Sequence, residues 1–226
     1  MFDIRQRAAS ENDGPVALLL DVETATLGHI LTGGFMAPSI QRLNDDGRIC
    51  GPALTVSVPP DDGVILGHAM TLARPGDVVV IDRQGDERHA CWGAVMTAAA
   101  LAAGVAGVII DGFVTDVAAI RAAGLPVWCR GRSPLTTKLL GRGGSIHADV
   151  TCGGVRVRSG DLILADESGV CVLGPSEALE LAEKALAMQA TEPGIIARLA
   201  AGERIDEING SRALIEQARA TGTAES

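Results

Sequence analysis

Apolar and polar residues alternate along the chain in blocks that predict a mixed α/β fold. Short apolar runs bounded by turn residues have the length of buried strands, and the longer segments between them have helical spacing. The predicted strands are residues 51–58, 78–82 and 125–129, and the predicted helices are 15–33, 64–73 and 117–123. Because two β-α-β crossovers follow one another between residues 78 and 129, we expect parallel strands there.

The stretch from Cys91 to Asp116 combines a helix, a turn, a strand and an acidic loop. Its alanine-rich helix begins after Gly93, the chain turns at Gly104, and an apolar strand leads to Asp111 and Asp116. The first turn of a helix carries unpaired N–H groups and a partial positive charge, which suit a carboxylate ligand. We expect both aspartates where the strand gives way to loop, with Asp111 as a turn residue, because ligands bind at this edge of an α/β sheet.

Beyond residue 146 the pattern changes to short strands joined by tight turns, which favours antiparallel pairing. Ser176 is the predicted N-cap of a helix that runs to about residue 190, and Pro193 separates it from a second helix at 195–201. The last twenty residues are predicted to be a polar helix or tail. The strands predicted in this part are 155–157, 162–165 and 170–173.

The length of 226 residues fits one domain with a helical appendage. Hydrophobic residues make up 47% of the chain but aromatic residues only 2%, so we expect a core of alanine, valine, leucine and isoleucine. The predicted organisation is an N-terminal arm at residues 1–14, an α/β domain at 15–190, and a C-terminal helical segment and tail at 191–226.

Charge and cysteine usage indicate a cytoplasmic protein that does not bind nucleic acid. The net charge is −9, from 19 basic and 28 acidic residues, and the basic residues are scattered rather than gathered into a stripe. The five cysteines form no CxxC pair, which is typical of reduced thiols rather than of a disulfide framework or a zinc site. The N-terminal residues are charged throughout, unlike a signal peptide.

Residues 91–110 are uncharged over about the length of a membrane span. Seven of them are alanine and three are glycine, and the strongly apolar residues cluster at the end. This pattern favours a helix, a turn and a buried strand, so we expect no membrane segment.

Four blocks of the sequence stand together: GRICGPALTVSVPPDD (47–62), ARPGDVVVID (73–82), WGAVMTAAALAAGVAGVIIDGFVTDVAAIRAAGLPVWCRG (92–131) and CGGVRVRSGDLILADESGVCVLGP (152–175). Their order and spacing resemble the family of the regulator of ribonuclease activity A and the related 4-hydroxy-4-methyl-2-oxoglutarate aldolases. The resemblance implies an αββ sandwich with a swivelling-domain topology and C-terminal helices, assembled as a homotrimer or as a hexamer made of two trimers. It also implies one of two activities. The family's enzymes are divalent-metal lyases that cleave a carbon–carbon bond next to a 2-oxo acid and decarboxylate oxaloacetate, and its regulatory branch binds an endoribonuclease.

The aldolase branch is marked by an Asp, then twenty residues, then Arg-Asp. Laid on this chain, the motif falls on Ala94, Thr115 and Asp116, so that only the final Asp is kept. The resemblance implies that Asp116 anchors Mg²⁺ or another divalent ion such as Mn²⁺, which suits a carboxylate plus waters. Thr115 replaces an arginine that stabilises the oxygen on which negative charge develops, and it offers a single uncharged donor instead.

The resemblance also implies a cradle for the substrate carboxylate. After Gly93, the backbone N–H groups of Val95 and Met96 match those that hold a 2-oxo acid in the family. Backbone N–H groups can fill this role whatever the side chains are. Glu192 matches an acidic residue that reaches into a neighbouring subunit's site. The implied catalytic residues are Thr115, Asp116 and Glu192, and the implied substrate-binding residues are Gly93, Val95, Met96 and Thr115.

Other roles remain open for these residues. Asp116 also suits the N-cap of the helix at 117–123, and Glu192 suits a solvated charge at a helix start. His29 lies where relatives carry Asp, although a dispersed histidine is usually structural. We expect a metal-dependent lyase, diverged at Ala94 and Thr115, that acts on a 2-oxo acid or related small carboxylate. The alternative is a non-catalytic binding protein of the ribonuclease-regulator type.

Overall fold

The structure, a computed structural model, describes residues 1–7, 13–44 and 47–222. Its strands are β1 (Phe2–Ile4), β2 (Gln41–Arg42), β3 (Ile49–Ser57), β4 (Val78–Asp82), β5 (Ala90–Trp92), β6 (Gly107–Val114), β7 (Val127–Arg132), β8 (Gly144–Ile146), β9 (Val150–Cys152), β10 (Val155–Val157), β11 (Leu162–Ala165) and β12 (Val170–Leu173). Its helices are α1 (Asp13–Leu19), α2 (Thr24–Leu27), α3 (Val64–Leu72), α4 (Ala94–Ala102), α5 (Val117–Ala123), α6 (Ala178–Gln189), α7 (Glu192–Ala200), α8 (Ile205–Ile208) and α9 (Ser211–Gly222).

Four parallel strands form the centre of the main sheet, in the order β3-β4-β6-β7. Strand β5 runs parallel to the end of β6, and β2 closes the edge antiparallel to β7. On the other side, β8 and β11 pair antiparallel with β3, β1 pairs parallel with β8, and β12 pairs antiparallel with β11. Strands β9 and β10 form a separate antiparallel pair. The predicted parallel segment and the antiparallel C-terminal strands are therefore confirmed.

The two faces of the central sheet bury two different hydrophobic clusters. Val79 and Ile81 of β4 pack with residues of α3, α4 and α5, whereas Val78 and Val80 pack with residues of β9 to β12. Successive side chains of a strand point to opposite faces, so a continuous apolar run is what a strand covered on both sides requires. Helices thus cover one face and strands the other, which confirms the predicted α/β class.

Two helix predictions were wrong. The helix expected at residues 15–33 is split into α1 and α2, because the Thr24 N–H and hydroxyl both donate to the carboxylate of Asp166, at 2.7 and 2.5 Å, and anchor a new helix start. Ser176 does not cap α6, which begins at Ala178. Residues 175–177 form a turn instead, and the Glu177 N–H donates to the carbonyl of Gly174.

The chain divides into two compact units, Met1–Glu183 and Lys184–Ser226, whereas the sequence predicted a division after residue 190. In the first unit, part of the predicted arm belongs to the sheet as β1, while residues 8–12 lie outside the described residues. In the second unit, α7 begins at Glu192, with Pro193 inside its first turn, where proline is tolerated. Among the described residues, no helix has the length and apolarity needed to cross a membrane.

Candidate functional site

The start of α4 is held in place from inside the protein. Trp92 and Thr97 are both 1% exposed, and the Trp92 indole Nε1 donates to the Thr97 hydroxyl at 3.0 Å. That hydroxyl in turn donates to the carbonyl of Gly93 at 3.0 Å, and the Thr97 N–H bonds to the same carbonyl. Because these groups are buried and mutually satisfied, the first turn of α4 has a fixed position beside the end of β5.

Asp116 caps α4 rather than the helix that follows it. It stands at the N-cap position of α5 in the left-handed conformation, with φ 52° and ψ 38°, and its side chain makes no capping hydrogen bond to α5. Instead, its Oδ2 accepts the N–H of Ala94 at 3.0 Å, and its Oδ1 accepts a weak bond from the Thr115 hydroxyl at 3.4 Å. A carboxylate is favoured at the positive end of a helix, so the interaction stabilises the start of α4.

Gly93 makes this approach possible. A Cβ at residue 93 would lie 2.5 Å from Oδ2 of Asp116 and 2.8 Å from Cγ2 of Thr115, both closer than ordinary contact. The backbone of Gly93 is extended, with φ −156°, so the restriction comes from space and not from conformation. A hydrogen bond from the Thr115 N–H to the Trp92 carbonyl, at 2.8 Å, fixes the end of β6 against the end of β5.

Most of the predicted site residues meet at this point. Gly93, Thr115 and Asp116 are in mutual contact range, and Val95 and Met96 lie in the first turn of α4, where N–H groups have no intrahelical acceptor. The Val95 side chain is 82% exposed, so the turn faces solvent. Glu192 is the first residue of α7 and belongs to the second unit. His29 lies in the turn after α2, where its N–H donates to the carbonyl of Thr26, and within the described part of the chain no hydrogen bond joins it to Asp116.

The donor set fits only a largely hydrated cation. Asp116 provides one carboxylate, and the described residues contain no group of three or more His, Cys, Asp or Glu side chains that could hold a metal ion. Mg²⁺ keeps several waters and binds proteins through one or two carboxylates, so the arrangement suits Mg²⁺ or Mn²⁺ better than an ion that needs a full protein cage.

The prediction that Asp111 is a turn residue was wrong. Asp111 lies inside β6, in register with Asp82 of β4, and strand alternation places it on the face opposite the helices. Arg130 of β7 forms an ion pair with it, and the N–H of Gly153 donates to it at 2.8 Å. Burial, with a smaller contribution from the charge of Asp111, raises the pKa of Asp82. Asp111 therefore joins the sheet to the β9–β10 pair and does not share a site with Asp116.

A second carboxylate, which the sequence did not single out, supports the loop beside α3. Asp62 is fully buried and accepts the N–H groups of Val64 at 3.1 Å, Leu140 at 3.1 Å and Arg142 at 2.5 Å. Burial by itself raises the pKa of Asp62, but these N–H groups, together with that of Gly141, outweigh it and lower the pKa below its usual value. The glycine-rich loop at residues 141–144 thus holds an internal anion.

A buried arginine fixes the chain that leads into β5. Arg83 is fully buried and donates to the carbonyls of Val58, Pro59 and Pro60. It also forms an ion pair with Asp86 at 2.8 Å. The loop between β4 and β5 is therefore tied to the loop after β3, and β5 delivers Gly93 to its position from this anchored segment.

A cavity of about 820 Å³ lies elsewhere in the first unit. Its walls come from α2, the segment around Phe35, strand β2, Trp128 and the turn at 167–169. None of the predicted site residues lines it, so its size alone does not make it the candidate site.

Comparison with known proteins places this chain in a family. Residues 19–172 match the RraA-like family model, described as Aldolase/RraA. A protein of Halalkalibacterium halodurans, provisionally named 4-hydroxy-4-methyl-2-oxoglutarate aldolase, is 37% identical over 157 residues, which are 70% of this chain and 74% of that protein.

Solved structures agree. RraAS2 of Streptomyces coelicolor, described as an unusual member of the RNase ES inhibitor RraA protein family, is 27% identical with a TM-score of 0.74, over 83% of this chain and 100% of that chain. An uncharacterised protein of Pseudomonas syringae has a TM-score of 0.75 at 24% identity, over 92% and 100% of the two chains, which shows the shared fold. The chain therefore belongs to the RraA-like family.

Proposed function

We propose that this chain binds the carboxylate of a 2-oxo acid, or of a related small carboxylate, at the start of α4 and acts there as a divalent-metal-dependent carbon–carbon lyase. The observation that carries the proposal is the 3.0 Å bond from the Ala94 N–H to Asp116, which brings a carboxylate to the first turn of α4. Family membership and the aldolase name of the Halalkalibacterium halodurans relative support a lyase.

Each group has a separate task in this proposal. The N–H groups of Val95 and Met96 bind the ligand carboxylate, helped by the helix dipole. The Thr115 hydroxyl donates to the oxo oxygen, where negative charge develops as the bond breaks. Asp116 would hold Mg²⁺ or Mn²⁺, and the bound ion would supply Lewis-acid polarisation of the oxo group. Glu192 of a neighbouring subunit would complete the site in a homotrimer or hexamer.

The test is release of pyruvate from oxaloacetate and from 4-hydroxy-4-methyl-2-oxoglutarate, with Mg²⁺ or Mn²⁺ and then with EDTA. A protein-free sample with the same ion corrects for decarboxylation by the free metal. Asp116→Asn is the matched variant, because an amide oxygen still accepts the Ala94 N–H but lacks the charge that holds a cation. We expect metal-dependent turnover in the wild type and none in Asp116→Asn. No turnover on either substrate, and no rise in the unfolding temperature with metal, would overturn the proposal.

The second candidate is a non-catalytic binding protein of the ribonuclease-regulator type. Ala94 and Thr115 favour it, because at these two positions the site has neither a carboxylate nor a cation. The matching experiment is inhibition of an endoribonuclease by the purified chain, next to oxaloacetate decarboxylation by an Ala94→Asp, Thr115→Arg double variant. Inhibition without turnover supports the regulator, whereas activity gained by the double variant shows that the remaining groups can support catalysis.

Two further expectations belong to this proposal. Sedimentation should give the mass of three or six chains. All five cysteines are free and buried in the structure, which supports a reducing compartment such as the cytoplasm.

A further inference from the structure

An anionic ligand at the start of α4 needs a positive charge that the described contacts do not yet provide. A helix N-terminus offers only about half an elementary charge. The Asp116 carboxylate already takes the Ala94 N–H there and adds a full negative charge. A second carboxylate beside it would be repelled unless a positive charge, from a metal ion on Asp116 or from a cationic side chain, lies within reach.

Three strand ends converge beside Asp116, and one of them carries an arginine. Trp92 at the end of β5 and Arg132 at the end of β7 are both register partners of Val114 at the end of β6. The Ser133 N–H donates to the Val114 carbonyl at 3.0 Å, which fixes the chain just after Arg132 against β6. Neighbouring strands are about 4.8 Å apart, so the long side chain of Arg132 starts one strand spacing from Val114, which Thr115 and Asp116 follow.

Arg132 is available for a ligand, in contrast to Arg130 two residues earlier. Arg130 is committed to the ion pair with Asp111 and to the hydroxyl of Ser39. Arg132 is exposed, and within residues 1–7, 13–44 and 47–222 it makes no ion pair or side-chain hydrogen bond. An exposed guanidinium with no partner keeps all its donors for a carboxylate.

The positive charge of Arg132 also influences a buried group of the same strand. Burial raises the pKa of the Cys129 thiol, and a hydrogen bond to Gly131 and the positive charge of Arg132 work against that rise. Cys129 belongs to the cluster that packs against α3, α4 and α5. The charge of Arg132 therefore acts within range of the cluster that packs against α3, α4 and α5.

We infer that Arg132, at the end of β7, supplies the positive charge that binds the anionic ligand at the start of α4. The charge would thus come from β7 and not from the loop that contains Thr115. The inference rests on the proposed function, because it assigns a residue to the same site. A guanidinium at this position would form a charge-assisted hydrogen bond to the carboxylate or to the oxo oxygen of a 2-oxo acid. It would also offset the charge of Asp116.

The test is titration calorimetry of the full chain with oxalate, an unreactive dianion shaped like a 2-oxo acid, at fixed Mg²⁺ and ionic strength. We expect Arg132→Gln to raise the dissociation constant at least tenfold and to flatten its dependence on salt. Arg132→Lys should raise it less, because the charge remains. Arg74→Gln is the matched control: this exposed arginine lies at the opposite, amino end of β4, and its loss should change the constant less than twofold.

A rescue variant separates a binding role from a structural one. Arg132→Gln combined with Thr115→Arg restores a guanidinium beside Asp116, and we expect it to recover most of the lost affinity, with unfolding temperatures unchanged throughout. Equal oxalate binding by the wild type and Arg132→Gln would overturn the inference and leave the proposed function standing. If the wild type itself does not bind oxalate, the proposed function fails, and the inference fails with it.

Discussion

Replacing Gly93 by alanine tests whether Asp116 and the start of α4 form one unit. The added Cβ would lie 2.5 Å from Oδ2 of Asp116. Ordinary carbon–oxygen contact needs about 1 Å more, so the carboxylate must move by about that distance. Its bond to the Ala94 N–H, now 3.0 Å, would then exceed the limit of a hydrogen bond.

The expected cost follows from what is lost. Both clashing atoms are ends of side chains, Oδ2 of Asp116 and Cγ2 of Thr115, so the backbone of Gly93 does not have to move. Loss of a helix-capping carboxylate costs about 1 kcal/mol, and an off-rotamer Thr115 costs about 0.5–1.5 kcal/mol. We therefore expect Gly93→Ala to lower the free energy of unfolding by about 1.5–2.5 kcal/mol.

A double-mutant cycle isolates the interaction. Urea unfolding is measured for the wild type, Gly93→Ala, Asp116→Ala and the double variant at one protein concentration. The left-handed backbone at residue 116 disfavours alanine. Asp116→Ala carries this cost both alone and in the double variant, so it cancels from the interaction free energy of the cycle. Because either single change already removes the Ala94 bond, we expect the double variant to be more stable than the sum of the single effects implies, by about 1 kcal/mol.

Gly33→Ala serves as the control for the glycine, since a Cβ at residue 33 meets nothing within 4 Å. It should change stability by less than about 0.5 kcal/mol. Additivity of Gly93→Ala and Asp116→Ala within about 0.3 kcal/mol would refute the view that the carboxylate and the glycine share one interaction.

Three further substitutions test the framework around the site. Thr97→Val removes the hydroxyl to which the buried Trp92 indole donates, so we expect urea unfolding to show a loss of about 1–3 kcal/mol, and Thr97→Ser should cost less. Asp62→Asn should destabilise the protein at neutral pH, and the difference from the wild type should shrink in acid. The lowered pKa of Asp62 means that its stabilisation is complete above the ordinary value of 3.8 and is lost as the pH falls through the folded value. Arg83→Met leaves the Asp86 carboxylate without its buried partner and should cost about 3–5 kcal/mol by chemical unfolding, and adding Asp86→Asn should recover part of that loss.

Local sequence determined much of the strand pattern. Residues 78–82, 155–157, 162–165 and 170–173 were predicted as strands and form β4, β10, β11 and β12 with the same ends. Each is a short apolar run between turn residues, so its boundaries are set by its immediate neighbours. The helix expected at 15–33 failed for the opposite reason, because its break at Thr24 depends on Asp166, which is distant in sequence.

The relative positions of the candidate site residues were predictable to a similar extent. A helix that begins after Gly93 and a strand that ends before Asp116 must meet at one edge when the strands are parallel, so sequence order alone placed these residues together. Asp111 was misplaced because its partner Arg130 lies on the next strand, and a strand that continues past a charged residue cannot be recognised without that partner. Arg132, whose role is our proposal, was not singled out by the sequence either. Arg132 lies three residues beyond the predicted end of its strand at residue 129, so the sequence pattern gave no specific signal for it.

Asp116 can serve the fold and a ligand at once, because its two oxygens have different partners. Oδ2 accepts the 3.0 Å bond that caps α4, whereas Oδ1 has only the 3.4 Å contact with the Thr115 hydroxyl. A cation or water on Oδ1 would replace the weaker contact and leave the cap intact, and the hydroxyl would then donate to the ligand instead. Ala94 and Thr115 therefore remove charge from the candidate site without removing the arrangement of a carboxylate, a hydroxyl and helix N–H groups around one point. Under the proposed function, these two residues should lower the affinity and the rate relative to the family motif rather than abolish the binding position.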